Sequence, residues 1–277
     1  MSQIPKVNLK TGGEMPAIGF GTWDLGDKTE VSVKNALDAG YTHIDTAEGY
    51  GNEKQIGKVL KDYNREDLFI TSKVLPSNLN YGNVLKACDR SLRKLDTSYL
   101  DLYLIHWPNL AISLRETLHA FNKLYKLKKV KNIGVSNFSP YELSIALKIT
   151  EVPISVNQVQ FHPWYHDEKL LTYCEENDLH LAAAAPFSRT AVFEDPLINK
   201  LCEKYDKSPA QIVLRWDMQK EVVALPRSSS KDHIEENLDI FDFQLEPSEM
   251  KKITNIPKKQ GCDYEIDLGD EVFGIPS

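Results

Sequence analysis

The chain has 277 residues, 42% hydrophobic and 26% charged, which is enough apolar material for a full globular core and too much for a disordered chain. Its 33 Lys and Arg are outnumbered by 40 Asp and Glu, and the net charge of −7 argues against a general binder of nucleic acid. No run approaches the ~20 consecutive apolar residues of a membrane helix, and the N-terminus is too polar for a secretory signal.

The first predicted element is a hairpin, residues 7–10 and 15–18 around Thr11-Gly12-Gly13, placed to plug one end of a larger sheet. Apolar runs rich in β-branched or aromatic residues then alternate with stretches of helical period. In chain order they are 17–20 before a helix at 29–39, 41–45 before 53–62, 68–73 before 81–94, and 99–106 before 113–126. The second half continues with 131–136 before 140–150, 154–158 before 167–177, 179–185 before 208–219, and 222–226 before 231–238. Gly40 reads as a helix stop, while Ser139-Pro140 and Ser208-Pro209 each put an N-cap before a proline at the first helical position. An additional helix is predicted at 195–206, and a short helical stretch follows Pro247.

Eight strand-then-helix units predict a parallel sheet with crossover helices, and at this length the economical closure is a (β/α)8 TIM barrel. The N-terminal β-hairpin plug and the extra helices near the C-terminus complete it, as one domain spanning 1–277. An open, doubly wound sheet is the rival, but its G-x-G-x-x-G signal is broken here, since Asp24 stands where the third glycine belongs after Gly19 and Gly21. The four cysteines, Cys88, Cys174, Cys202 and Cys262, form no C-x-x-C pair, which suits free thiols in a reducing cytoplasm.

A barrel of this type builds its site at the C-terminal ends of the strands. Asp45, Lys73 and His106 end the second, third and fourth apolar runs, and Tyr50 lies in the loop after Asp45. Together they place a carboxylate, an ammonium, an imidazole and a phenol on one rim. A phenol with an ordinary pKa near ~10 gives up its proton reluctantly, and a neighbouring ammonium held by a carboxylate is expected to lower that value. The imidazole can orient a carbonyl oxygen, and a carbonyl between phenol and imidazole is polarised for hydride attack. Taken singly, each residue has a plainer role: a strand-end salt bridge, a loop aromatic, a core histidine.

The segments Gly40-Tyr-Thr-His-Ile-Asp-Thr-Ala-Glu-Gly-Tyr-Gly-Asn-Glu53, Ile70-Thr-Ser-Lys73, Leu104-Ile-His-Trp-Pro108 and Lys131-Asn-Ile-Gly-Val-Ser-Asn-Phe138 resemble the signatures of the aldo-keto reductases. The likeness runs in order from about residue 7 to about residue 245. It implies a barrel that binds NADPH without a Rossmann domain and reduces the carbonyl of an aldehyde or ketone. By the resemblance, Tyr50 is the general acid, Asp45 and Lys73 tune it, and His106 orients the substrate. Ser136, Asn137 and Gln158 match the positions that hold the nicotinamide carboxamide. Gly21 and Thr22 match the backbone approach to the cofactor, with Trp23 and Trp107 facing the substrate. Arg227, Ser228, His233, Glu236 and Asn237 match the adenosine-phosphate segment.

The chain also departs from the family pattern. Ala184, before Pro186, stands where an aromatic stacks on the nicotinamide, and Phe187 is the nearest ring that could replace it. Arg189 is placed to reach the pyrophosphate. His233 stands where an arginine grips the 2′-phosphate, so the preference for NADPH is expected to be weak, with NADH usable. The pocket is expected to be walled by Trp23, Trp107 and the tail carrying Tyr264 and Phe273.

No metal is expected: His162 and His166 are four apart, but Pro163 interrupts any helix there and no third ligand is evident. The basic run 126–131 reads as a solvated helix end. The expected setting is a cytoplasmic monomer acting on a small-molecule carbonyl, with neither nucleic acid nor membrane as partner. The alternative is a cofactor-binding regulatory or channel-associated barrel with little turnover.

Overall fold

The computed structural model describes residues 4–259. Strands β1 (Lys6–Asn8) and β2 (Glu14–Pro16) form the antiparallel hairpin, with Val7 opposite Met15. Eight parallel strands follow: β3 (Phe20–Gly21), β4 (His43–Asp45), β5 (Phe69–Val74), β6 (Leu100–Ile105), β7 (Val130–Ser136), β8 (Ile154–Gln160), β9 (His180–Ala184) and β10 (Val223–Leu225). Each pairs with the next in chain order. The sheet closes through the residues before β3: the Gly19 N–H donates to the Ala224 carbonyl at 2.8 Å, and the Ala224 N–H donates to the Ala17 carbonyl at 3.0 Å. The result is the (β/α)8 barrel that the alternating pattern predicts.

The crossovers are α1 (Thr29–Ala39), α2 (Glu53–Leu60), α3 (Tyr81–Leu95), α4 (Leu114–Lys126), α5 (Pro140–Ile149) and α6 (Glu168–Glu176). The extra helix is α7 (Pro196–Tyr205), followed by α8 (Pro209–Gln219), α9 (Lys231–Glu236) and, beyond the last unit, α10 (Pro247–Thr254). Ser139 and Ser208 each form a full capping box, with Glu142 and Gln211, so both starts read from sequence are satisfied at orphan backbone N–H groups.

Alternation along the strands divides the core in two. Ile44, Ile70, Tyr103 and Ile105 face outward and pack with helix residues such as Ile56 and Phe121. Phe69, Leu102, Leu104, Val156 and Val223 pack inside the barrel, and Leu9 and Met15 of the hairpin join them. A Thr11–Asn132 hydrogen bond also ties the hairpin turn to β7. The hairpin therefore plugs the N-terminal end, and the opposite end is left to the polar strand termini.

Candidate active site

At those termini lies a cavity of about 760 Å³. In the β4–β5 register Asp45 sits beside Thr71, so Lys73, two residues further on, faces the same interior. Lys73 in turn pairs with Leu104, and His106 stands two residues beyond Leu104. Tyr50 is carried by the single 3-10 turn Glu48–Tyr50 after β4.

Lys73 is fully buried, and its Nζ donates to Asp45 Oδ1 at 2.5 Å, to the Thr46 carbonyl at 3.0 Å and to Tyr50 Oη at 3.2 Å. Asp45 Oδ2 accepts from Gln158 Nε2 at 2.8 Å. A buried ion pair repays its desolvation only when the remaining donors and acceptors are matched, and here each ammonium proton has an acceptor. The rings of Tyr50 and His106 meet edge to face at 5.7 Å.

Burial raises the Tyr50 phenol above its ordinary value, while the Lys73 charge pulls the other way and loses. This corrects the sequence expectation of a net lowering: the ammonium does act downward, but the partial burial of the half-buried ring is the larger effect. Burial also disfavours the Lys73 charge, yet Asp45 and then Tyr50 outweigh it and hold the ammonium above its ordinary value. His106 is pushed down to about 3 by burial and then by the Lys73 charge, so its imidazole is neutral, and its buried Nδ1 has no hydrogen-bond partner.

Gly21, Thr22, Ser136, Asn137, Gln158, Ala184, Pro186, Arg189 and Arg227 line the cavity with Asp45, as do Trp23, Tyr50, His106 and Trp107. Asn137 Nδ2 donates to the His106 carbonyl and to Ser136 Oγ, both at 3.0 Å, and Ser136 Oγ donates to the Gln158 carbonyl at 2.7 Å. Trp23 is 41% exposed at the mouth, with the guanidinium carbons of Arg189 and Arg227 at 5.7 and 5.8 Å from its ring. Ser228, His233, Glu236 and Asn237 do not line the cavity and follow β10 instead. Among these His233 is exposed, whereas Asn237 is buried with its Oδ1 unpartnered.

Ala184 offers only a methyl group to the cavity, while Phe187 also lines it and packs against Phe193 at 5.2 Å. Leu75, Pro76, Phe138 and Tyr165 are walls that sequence reasoning missed, since nothing in their local pattern sets them apart from core or loop residues. Tyr264, Phe273 and Cys262 lie outside the described residues. In the basic run, Lys126 pairs with Glu151 at 2.6 Å, Lys129 with Asp89 at 2.5 Å and Lys131 with Asp101 at 3.2 Å. His166 Nδ1 is bonded to the His162 carbonyl at 3.1 Å, and no group of three or more His, Cys, Asp or Glu among the described residues could hold a metal.

A sequence model of the Aldo/keto reductase family matches residues 17–258. The chain is 42% identical over 258 residues to the glyoxal reductase of Bacillus subtilis, covering 92% of this chain and 93% of that one. An aldo/keto reductase structure from Brucella melitensis superposes with a TM-score of 0.86 at 40% identity, covering 91% of this chain and 99% of that chain. The Bombyx mori aldo-keto reductase in complex with NADP superposes with a TM-score of 0.91 at 29% identity, covering 97% of both chains.

Proposed function

The chain belongs to the aldo/keto reductase family, and from that premise we propose that it reduces the carbonyl group of a small aldehyde or ketone with NADPH, with Tyr50 as the general acid. The observation that carries the reading is the Lys73 ammonium, bonded at once to Asp45 and to the Tyr50 hydroxyl beneath an open cavity.

The cofactor, when bound, supplies the hydride. Ser136, Asn137 and Gln158 would hold its carboxamide, and Gly21, Thr22, Ala184 and Pro186 would border its ring. Arg189 would meet the pyrophosphate, while Arg227, Ser228, His233, Glu236 and Asn237 would serve the adenosine phosphate. The residues fit such a group: polar amides stand at the ends of β7 and β8, and two arginines flank the mouth. With His233 in place of a permanent cation, the preference for NADPH is modest and NADH is usable.

His106, neutral, orients the carbonyl oxygen by hydrogen bonding. Tyr50 is protonated at neutral pH, since burial raises it. It donates its proton from Oη to the carbonyl oxygen as negative charge develops there, and Lys73 stabilises the phenolate left behind. Asp45 and Gln158 keep the ammonium in place. Trp23 and Trp107 offer apolar walls, which favours an apolar or aromatic substrate. We read the setting as the cytoplasm and the unit as a single-domain monomer.

The test is Tyr50→Phe, with NADPH oxidation followed in the presence of aromatic and dicarbonyl aldehydes. The ring stays and the proton is lost, so turnover should fall roughly 10²–10⁴-fold while NADPH binding persists. Turnover near the parent's would remove Tyr50 from the acid's role. Failure of the parent to turn over any aldehyde, despite tight cofactor binding, would point to a sensor.

A further inference from the structure

Tyr50 is carried by a loop, so its position must be imposed by the parts against which the loop is seated. The Glu48 side chain, 10% exposed, begins the same turn and reaches three donors. Its Oε2 accepts from the Leu75 N–H at 3.2 Å, and its Oε1 accepts from Asn78 Nδ2 and Arg90 Nη2, each at 2.7 Å. Leu75 and Asn78 belong to the loop after β5, the strand that carries Lys73, and Arg90 belongs to α3. Between Glu48 and Tyr50 the backbone sits directly on Leu75, because a Cβ at Gly49 would stand 2.8 Å from Leu75 Cδ2. On the far side of Tyr50, Asn52 Nδ2 donates to the Thr22 carbonyl at 2.7 Å and its Oδ1 accepts from Thr46 Oγ1 at 3.0 Å.

The turn is therefore held at both ends, by Asn52 to the β3 and β4 ends and by Glu48 to the β5 end and α3. We propose that Glu48 is a positioning residue: by tying the turn to Leu75, Asn78 and Arg90 it sets where the Tyr50 hydroxyl stands relative to the Lys73 ammonium. The proposal rests on the reading of Tyr50 as the proton donor. A charged acceptor shared among three donors is stiffer than a single neutral hydrogen bond. The motion it restrains is the one that would part the hydroxyl from the ammonium. Leu75 adds a direct connection, because the residue that Glu48 holds by its backbone also forms the cavity wall next to Tyr50.

The experiment is Glu48→Ala in the full chain, assayed with NADPH and an aromatic aldehyde. Displacement of a reacting group by about 1 Å can cost ~10²-fold, so kcat should fall about ten- to a hundredfold. The affinity for NADPH should be unchanged. Tyr50 should lose part of the downward pull of Lys73, so the alkaline limb of the kcat profile should move to higher pH. In a Tyr50→Phe background, Glu48→Ala should cause no further loss, because both changes remove the same function. Should Glu48→Ala not fold, Arg90→Ala with Asn78→Ala removes two of the three donors and should shift kcat and the limb in the same directions. Parental kcat and pH profile in the folded variants, with Tyr50→Phe inactive, would overturn the role of Glu48 alone. So would a loss that leaves the limb in place or recurs in the Tyr50→Phe background, since it would mark Glu48 as merely structural. An active Tyr50→Phe would overturn the reading of Tyr50 itself.

Discussion

Lys73 carries its charge where water does not reach, and its three bonds explain why it can. Asp45 supplies the counter-charge, the Thr46 carbonyl takes a second proton, and the third points at the Tyr50 oxygen. Lys73→Met removes the one group that pulls the half-buried phenol downward. We expect reduction to fall roughly 10²-fold or more and the alkaline limb of the rate profile to rise, because the acid becomes weaker and keeps its proton to higher pH. The substitution also strands the Asp45 carboxylate, so the companion Lys73→Met/Asp45→Asn should recover stability without recovering rate. A limb that stays at the parent's pH would show that Lys73 does not act on Tyr50. Ala184 makes the opposite kind of prediction. Aromatic stacking is worth roughly 0.5–1.5 kcal/mol, so Ala184→Tyr should tighten NADPH about threefold to tenfold in a fluorescence titration. Unchanged or weaker binding would mean that Phe187, already in the cavity wall, fills that space.

At the scale of elements, the approach of α2 to α3 governs the region behind the site. A Cβ on Gly57 would stand 2.3 Å from the Lys94 carbonyl oxygen and 2.8 Å from the Leu95 carbonyl carbon, both backbone atoms that cannot swing aside. Ala is the better helix former by ~1 kcal/mol at an interior position, so propensity alone predicts that Gly57→Ala stabilises. Overpacking costs about 1–3 kcal/mol, and with backbone on the other side we expect it to win. Urea unfolding should show a lower midpoint for Gly57→Ala, and a raised midpoint would mean that the two helices slide apart at little cost. The same contact bears on the chemistry, since α2 begins at Glu53, three residues after Tyr50, and Glu53 Oε1 accepts from Ser72 Oγ at 2.8 Å beside Lys73.

The whole molecule answers to pH through groups that the fold buries, Asp217 on α8 and His43 within the strand barrel. His43 is 1% exposed inside it, and burial holds its imidazole down at about 4 from an ordinary 6.5. Between those values the unfolded chain binds a proton that the folded chain refuses. This group therefore removes stability as pH falls from about 6.5 to about 4. Asp217 has the opposite sign: burial raises its carboxyl well above the ordinary range, so the folded chain keeps a proton that the unfolded chain releases as pH rises. Because the two oppose each other across part of the acid range, the useful quantity is a difference. The unfolding free energy of His43→Gln minus that of the parent should shift by about 2–3 kcal/mol in favour of the variant between pH ~7.5 and ~4.5. A difference that stays flat with pH would mean that His43 is not held neutral by the fold.

What the chain determined by itself is what neighbouring residues can encode. The alternation of strand and helix periods, the Ser-Pro caps at Ser139 and Ser208, and the polar residues Asp45, Lys73 and His106 at the ends of apolar runs all depend on short windows. They are readable for that reason, and the resemblance carried by the segments 40–53, 70–73, 104–108 and 131–138 pointed to the family. Other features required the barrel to close. Closure joins Ala17 and Gly19 to Ala224, at the far end of the chain and with no local mark of the partnership. The partners of Glu48 stand 27, 30 and 42 residues away, so the clamp on Tyr50 has no signature in its own motif. The direction of the Tyr50 shift is not legible in the chain, because sequence shows which charges can approach a phenol but not how deeply the fold sets it. Composition and period act locally, whereas burial is a property of the closed barrel, and burial set the direction at Tyr50 and His106 while Asp45 overrode it at Lys73.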